Sequence, residues 1–425
     1  MPLRRFTSDL LTAATLLALS GASVEVSAEA SDRPCIDLCI RESLNHEFTP
    51  KKPVQTWLDW EFKPSIPGLN QEFPSSRIPL SLVPVPEVTI LRSSHLPKEV
   101  EALFLRGDRV LWPKHPYNRV ESTPFFKAPE LPDTLKAFHT ASRSMVAGIG
   151  GHLYGIKMPT NHPFGPSRVE QMNKAFPKDS MRSSMRRTAI IEKIDQKIGA
   201  DPDLIFLKDI LTVVETASGH GFSIRDLRPL DNGNLFFPAH LIPVVGDEIA
   251  AKSGQNMAEF FKGAWAGALG RFQAKMLVRY GMEYNPINPQ NFLIELSPDL
   301  KPTGRLAVRD LGDAFQVESV SKAVGLGEEV VRDRELGLKV FAKTEPGKKS
   351  ETMTWGFNLS GKSLILPVTR ESWYSAHDEA FLTELSRLTG IAVRKGYGTW
   401  AIEELLEAPE NKTKLIQFHQ NPVNH

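Results

Sequence analysis

The strongest periodicity in the chain spans residues 256–280, where Phe261, Trp265, Leu269, Phe272, Met276 and Tyr280 recur at spacings of four, four, three, four and four. That is one face of an α-helix turned toward a core, and Gly281 stands where a left-handed residue would end it. Beyond it the pattern changes to short apolar runs. Residues 291–296 and 305–308 read as two strands joined through a Ser-Pro-Asp turn region, and the second closes in Arg309-Asp310-Leu311-Gly312-Asp313. Residues 153–158 have strand character between Gly-rich turns, residues 186–198 form an amphipathic helix after a basic, Ser-rich start, and residues 204–216 are apolar and partly strand. Residues 222–225 and 235–237 read as two strands around an Asn-Gly turn. The tail from about residue 370 is expected to be helical, with Phe381, Leu382, Leu385 and Leu388 on one face and Ile402, Leu405 and Leu406 on another.

Residues 50–132 break these patterns. Pro53, Pro64, Pro67, Pro74, Pro79, Pro84 and Pro86 punctuate a stretch that also carries Trp57, Trp60 and Trp112. Proline at that density excludes long helices and central strands, so the expectation is an extended region wrapped over the rest and not an independent domain. Strands mixed with separate helices make the fold class α+β.

At 425 residues, with 41% hydrophobic and 24% charged residues, the chain can bury one large core or several ordinary ones. Lys and Arg number 51 against 50 Asp and Glu, which leaves no bulk electrostatic footprint for nucleic acid or an anionic membrane. Arg4 and Arg5, an apolar run over residues 10–22, and Val26-Ser27-Ala28 form the three parts of a secretory signal, with cleavage expected after Ala28 and export to the periplasm or beyond. The run is short for a membrane span. Cys35 and Cys39 follow closely, either as a small local disulfide or as two free thiols.

The hairpin expected over residues 291–308 acts as a clip whose ends lie side by side, so Asn288, Gln290, Asn291, Asp310 and Asp313 should meet at one mouth. Asn291, Asp310 and Asp313 supply one carboxamide and two carboxylates, a hard-oxygen set suited to Mg²⁺ carrying a nucleotide. Protein kinases place an Asn before such a hairpin and a metal-binding Asp after it. The same residues also cap ordinary turns. A phosphate partner is offered by Ser183, Ser184 and Arg186 at the start of a helix, where hydroxyls, backbone N–H groups and a fork-shaped guanidinium converge. A solvated basic turn is the plainer alternative. Lys157 would project from a strand end.

In this order the pieces resemble the siderophore synthetases that work without a peptide-synthetase assembly line, the IucA/IucC-like aerobactin synthetases. The resemblance covers residues 150–320 and rests on a strand with a lysine (Gly155-Ile156-Lys157), a Ser-rich segment ending in Arg186, Arg225-Asp226 ahead of Pro229, Gln290-Asn291 after the long helix, and Arg309-Asp310 after the hairpin. An upstream His115-Pro116 fits loosely. The resemblance implies a fingers, palm and thumb enzyme with a kinase-like palm hairpin. It implies binding of Mg-ATP, adenylation of a carboxylate on a citrate-like small polycarboxylate, and displacement of AMP by an amine or hydroxyl. Ser183, Ser184, Arg186, Gln290 and Asn291 would then hold the nucleotide, Lys157, Arg186 and Arg225 would stabilise charge, and Asn291, Asp310 and Asp313 would hold Mg²⁺. The implied organisation is a leader at 1–28, a Pro-rich region at 29–132, a phosphate-binding lobe at 133–240 and a helical lobe with the hairpin at 241–425. Pro286 and Asn288 stand where the family carries Glu and His, which removes a titratable group. Two further readings follow from these residues: an exported binding or scaffold protein that keeps the fold without the chemistry, and a kinase-like phosphotransferase.

Overall fold

The structure of the protein is a computed structural model, and it describes residues 75–116, 128–141, 144–159, 178–284, 287–341, 357, 368–391 and 406–420. The leader, Cys35, Cys39, Pro286, Ile402 and Leu405 lie outside the described residues. In chain order the first half contains β1 (Ser75–Pro84), β2 (Val88–Arg92), α1 (Lys98–Phe104), β3 (Leu105–Arg106), β4 (Arg109–Pro113), β5 (Glu130–Ala141), β6 (Ser144–Ile149) and β7 (His152–Lys157). Then follow α2 (Lys178–Ile198), β8 (Leu204–Phe206), β9 (Asp209–Glu215), β10 (Gly221–Asp226), β11 (Leu235–Pro238) and α3 (Ile242–Lys252). The second half contains α4 (Met257–Phe260), α5 (Ala268–Tyr280), β12 (Met282–Tyr284), β13 (Phe292–Leu296), β14 (Pro302–Val308), β15 (Ala314–Val317), α6 (Glu318–Ala323), α7 (Gly327–Glu335), β16 (Val340–Phe341), α8 (Arg370–Thr389) and α9 (Pro409–Gln420). The α+β class is as expected.

Nine strands form one antiparallel sheet in the order β2-β9-β10-β7-β6-β5-β1-β4-β3. Its period-two alternation sorts the side chains. Tyr154 and Ile156 on β7, Leu211 and Val213 on β9, and Phe222 and Ile224 on β10 enter one core with Phe104 and Trp112. Phe222 meets the Trp112 ring edge-on at 5.3 Å. The alternate positions, Lys157, Thr212, Ser223 and Arg225, belong to the other face, where α2 packs against β9. Polar residues in mid-sheet are thus set against a helix, and Thr212 and Ser223 satisfy each other through hydroxyls 2.8 Å apart.

Two expectations need correction. Proline does not keep residues 75–84 out of the sheet: β1 lies between β5 and β4, an interior position. Pro79 sits where the β1–β5 register shifts, so its missing N–H falls at an irregularity in the ladder. The sheet draws on both sides of residue 133, because β5 runs across it. Nor do β10 and β11 pair with each other; β10 lies between β7 and β9, and β11 pairs with β13. The Asn-Gly turn is instead pinned to the hairpin, since Asn232 and Asn234 donate to Glu295 at 2.8 and 2.9 Å.

The long periodic helix is present as α4 and α5 joined by a π-helical stretch, Phe261–Gly267. Asn256 and Glu259 form a reciprocal capping box at its start, and Gly281 ends it at φ 61°. Helix α8 lies so close to α5 that a Cβ at Gly270 would stand 2.3 Å from the His377 carbonyl oxygen. Its Trp373, Phe381, Leu385 and Leu388 are buried in the larger core, each contributing on the order of 1.5–3 kcal/mol. Among the described residues no helix is long and apolar enough to cross a membrane.

The hairpin stands as read: β13 and β14 pair antiparallel with Phe292 opposite Val308, in a four-stranded sheet ordered β11-β13-β14-β8. A three-stranded sheet, β12-β15-β16, follows it. The short link between β8 and β9 stitches the sheets together, because Leu207 N–H donates to the Val308 carbonyl at 2.8 Å and Asp226 N–H to the Lys208 carbonyl at 2.9 Å. The end of β14 is thereby fixed beside the start of β9 and the end of β10.

Candidate functional site

That junction gathers charged side chains from separate strands. Lys157 is the last residue of β7, Arg225 is next to last on β10, and Asp209 opens β9 opposite Arg225. Asp310 follows β14. Lys157 Nζ lies 2.9 Å from Asp310 Oδ1 and Arg225 Nη2 lies 2.5 Å from the same oxygen. At its other edge Arg225 Nε donates to Asp209 Oδ1 at 2.9 Å, and the Ser184 hydroxyl of α2 donates to Asp209 Oδ2. The guanidinium is held from behind and presents its front to the mouth. The Asp310 and Lys157 side chains are 28% and 21% exposed, whereas Arg225 is at 9%, so the cluster is open on the Asp310 side.

The hairpin ends place the remaining groups. Asn291 Nδ2 donates to Asp313 Oδ2 at 3.2 Å and to the Tyr284 hydroxyl at 2.9 Å. That hydroxyl in turn reaches the carbonyls of Arg309 and Asp310 at 3.0 and 3.1 Å. Tyr284 therefore braces the backbone where Asp310 adopts the left-handed region, φ 58° and ψ 52°, which a non-glycine residue enters at a cost. Gln290 offers its carbonyl to the Arg309 guanidinium at 2.8 Å, and Asn288 accepts from Gln290 N–H at 3.2 Å. The Ser183 hydroxyl donates to the Gly312 carbonyl at 3.1 Å, tying α2 to the Leu311–Asp313 turn.

Burial alone would favour neutral Asp310, but the charges of Lys157 and Arg225 outweigh it and hold the carboxyl well below the usual range. Asp313 goes the other way: burial and then the Asp310 charge push it up to about 6. Burial works against the Arg225 charge, yet Asp209 and Asp310 hold its guanidinium protonated more firmly than usual. Burial, with the Asp313 and Asp310 charges behind it, keeps the Tyr284 hydroxyl neutral. The site thus sets the firmly charged Arg225 and Asp310 beside Asp313, a carboxyl pushed up to about 6.

Of the residues singled out from the sequence, Lys157, Arg225, Asn291, Asp310 and Asp313 are brought together, with Gln290 beside them. Ser183 and Ser184 reach the same region, but their hydroxyls are engaged by Gly312 and Asp209. Arg186 does not join them. Its guanidinium binds Asp333 at 2.8 Å and Glu329, both on α7. Arg186 stands about 160° around α2 from Ser184, and although it neighbours Ser183 on the helix surface its long side chain turns to the α7 carboxylates. Two supporting residues escaped the sequence reading, Asp209 and Tyr284. A lone acid opening the otherwise apolar run Asp209-Ile210-Leu211 was the available signal for the first; nothing marks the second out from the other core aromatics.

No protein-family model matches the sequence, and no curated protein matches it. Among solved structures the chain is similar to aerobactin synthetase IucC from a hypervirulent pathotype of Klebsiella pneumoniae, at 14% identity and a TM-score of 0.51, over 82% of this chain and 66% of that one. It is similar to ATP-bound aerobactin synthetase IucA from the same pathotype, at 13% identity and a TM-score of 0.51, over 83% of this chain and 72% of that one. The chain spans about two thirds of the length of IucC. At these identities the likeness is one of fold, and the chain has the fold of the aerobactin-type siderophore synthetases.

Proposed function

We propose that the chain binds Mg-ATP at the Asp310 mouth and acts as an ATP-dependent ligase, activating a carboxylate of a small polycarboxylate for attack by an amine or hydroxyl. The observation that carries this reading is the convergence of Lys157 and Arg225 on Asp310, with Asn291 and Asp313 on the adjoining turn. The fold likeness to a synthetase solved with ATP supports it.

The residues fit the ligand. Asn291 Oδ1, Asp310 Oδ2 and Asp313 Oδ1 accept no hydrogen bond from another described residue. Among the described residues no group of three or more His, Cys, Asp or Glu could hold a metal ion by itself. A cation here would rest on two carboxylates, a carboxamide and phosphate oxygens, a set of the kind Mg²⁺ takes. Bound Mg²⁺ would supply neutralising charge for the phosphates. Lys157 and Arg225 would hold phosphate oxygens and meet the charge that grows on them as pyrophosphate leaves. Asp209, backed by Ser184, would keep Arg225 in place, Gln290 would border the nucleotide, and Arg186 would serve the framework. The β13–β14 hairpin would be the kinase-like palm element between a sheet lobe and a helical lobe. Pyrophosphate release from ATP with a panel of small polycarboxylates and amines tests the reading: release that needs both a carboxylate and Lys157 supports it, and release from none of them overturns the ligase assignment.

A second reading, nucleotide binding without turnover, is favoured by Asn288. Its side chain caps the Pro289–Asn291 turn, and residues 287–291 contain no group able to move a proton. Export by the leader would instead suit a binding or scaffold protein that keeps the fold and uses no ATP, because ATP is scarce outside the cytoplasm.

A further inference from the structure

Both cations that meet Asp310 land on the same oxygen, Oδ1, at 2.9 Å from Lys157 and 2.5 Å from Arg225, while Oδ2 takes no hydrogen bond from another described residue. The positive groups that a phosphate needs are thus already engaged by the chain's own carboxylate. The carboxylate that a metal needs is equally held by those cations. Around the mouth, Lys157, Arg225 and Arg309 stand against Asp209, Asp310 and Asp313. Ionised, the groups balance, so the site has little net attraction for a polyanion on its own.

We propose that Asp310 is an internal stand-in for phosphate: it occupies Lys157 and Arg225 until a divalent cation draws it away, so that nucleotide and metal bind together. The inference rests on the nucleotide reading above and adds to it an exchange of charge partners. Three features of the structure favour such an exchange. Asp310 and Lys157 reach solvent, so ligand can arrive at the pair. Arg225 keeps its second anchor at Asp209, so its front edge can change partner while the buried edge stays fixed. Tyr284 braces the carbonyls of the two peptides that flank the Asp310 Cα, so the carboxylate can turn without the backbone moving.

The test is calorimetric titration of ATP in EDTA and of ATP with excess Mg²⁺ into the full chain and into Asp310→Asn and Asp313→Asn. Asparagine tolerates the left-handed backbone at position 310 and removes only the charge. Wild type should bind metal-free ATP at least about tenfold more weakly than Mg-ATP, the scale of one charge-assisted contact. Asp310→Asn should bind metal-free ATP at least about tenfold more tightly than wild type does, and lose most of its dependence on Mg²⁺. Asp313→Asn, which removes a carboxylate but leaves Asp310 on Lys157 and Arg225, should gain less metal-free affinity than Asp310→Asn does. Wild type that binds ATP equally well with and without metal overturns the inference, as does Asp310→Asn losing affinity in both conditions. Wild type that binds no Mg-ATP overturns the nucleotide reading and this inference with it.

Discussion

Two clusters in this molecule look alike on paper. At α2 and α7, Arg186, Arg187 and Lys193 meet Glu329 and Asp333; at the hairpin mouth, Lys157 and Arg225 meet Asp310 and Asp209. The first has its carboxylates closed off, Glu329 at 4% and Asp333 at 0% exposure, although Lys193 at its edge reaches solvent. Arg187 and Asp333 have no exposed side-chain surface, and Arg187 Nε and Nη2 have no hydrogen-bond partner among the described residues. The second is open, with solvent-reaching partners and oxygens on Asp310 and Asp313 that take no hydrogen bond from another described residue. Basic residues in a sequence do not separate these cases. Solvent access to the carboxylates does, and it depends on which elements cover them.

The contrast can be broken or sharpened by substitution. The largest effect is expected at Asp333→Ala, which strips two arginines of a buried carboxylate and should cost about 3–5 kcal/mol of stability. A urea midpoint close to that of wild type would contradict the closed-cluster account. Next, Lys157→Ala should raise the Kd for Mg-ATP by more than about tenfold while the Tm stays within about 2 °C of wild type. Calorimetry and a thermal melt on one preparation separate the two quantities. Arg186→Ala should behave in reverse, with a lowered Tm and a Kd within about twofold of wild type. A loss of affinity matching that of Lys157→Ala would place Arg186 at the nucleotide after all.

The smallest effect depends on pH. The folded chain holds Asp313 at about 6, above the ordinary carboxylate value, so the native state binds the extra proton in between. Native stability from this group therefore falls as pH rises from about 4 through about 6. Asp313→Asn removes that loss, and melts should show a gain of a few degrees near about pH 7.5 that shrinks near about pH 4.5. A gain independent of pH would mean that neither burial nor Asp310 raises the Asp313 carboxyl in the folded chain.

Much of the fold was legible where local pattern and tertiary role agree. The stripe from Phe261 to Tyr280, its Gly281 cap, and the hairpin ending at Val308 all follow from periodicity, and the convergence of Asn291 with Asp310 and Asp313 follows from the hairpin alone. The π-helical stretch within that stripe left no mark on the apolar spacing. Pro79 was misleading because a single register shift, set by the partner β5, accommodates it inside a sheet. The Asn232-Gly233 turn was misleading because Glu295, distant in sequence, recruits its side chains. In the site, Lys157 and Arg225 were found as residue types near strand ends, but Asp209 was not, since its value lies wholly in facing Arg225 across a strand pair. Arg186 shows the opposite failure: its neighbours in sequence suggested phosphate, and its neighbours in space are carboxylates of α7.

The most direct test of the central claim is calorimetric titration of Mg-ATP into the full chain, with Lys157→Ala measured alongside. Saturable one-site binding in wild type that weakens by more than about tenfold in the variant is the predicted result. Binding that is absent in wild type, or present and untouched by the variant, would contradict the assignment of the Asp310 mouth as a nucleotide site.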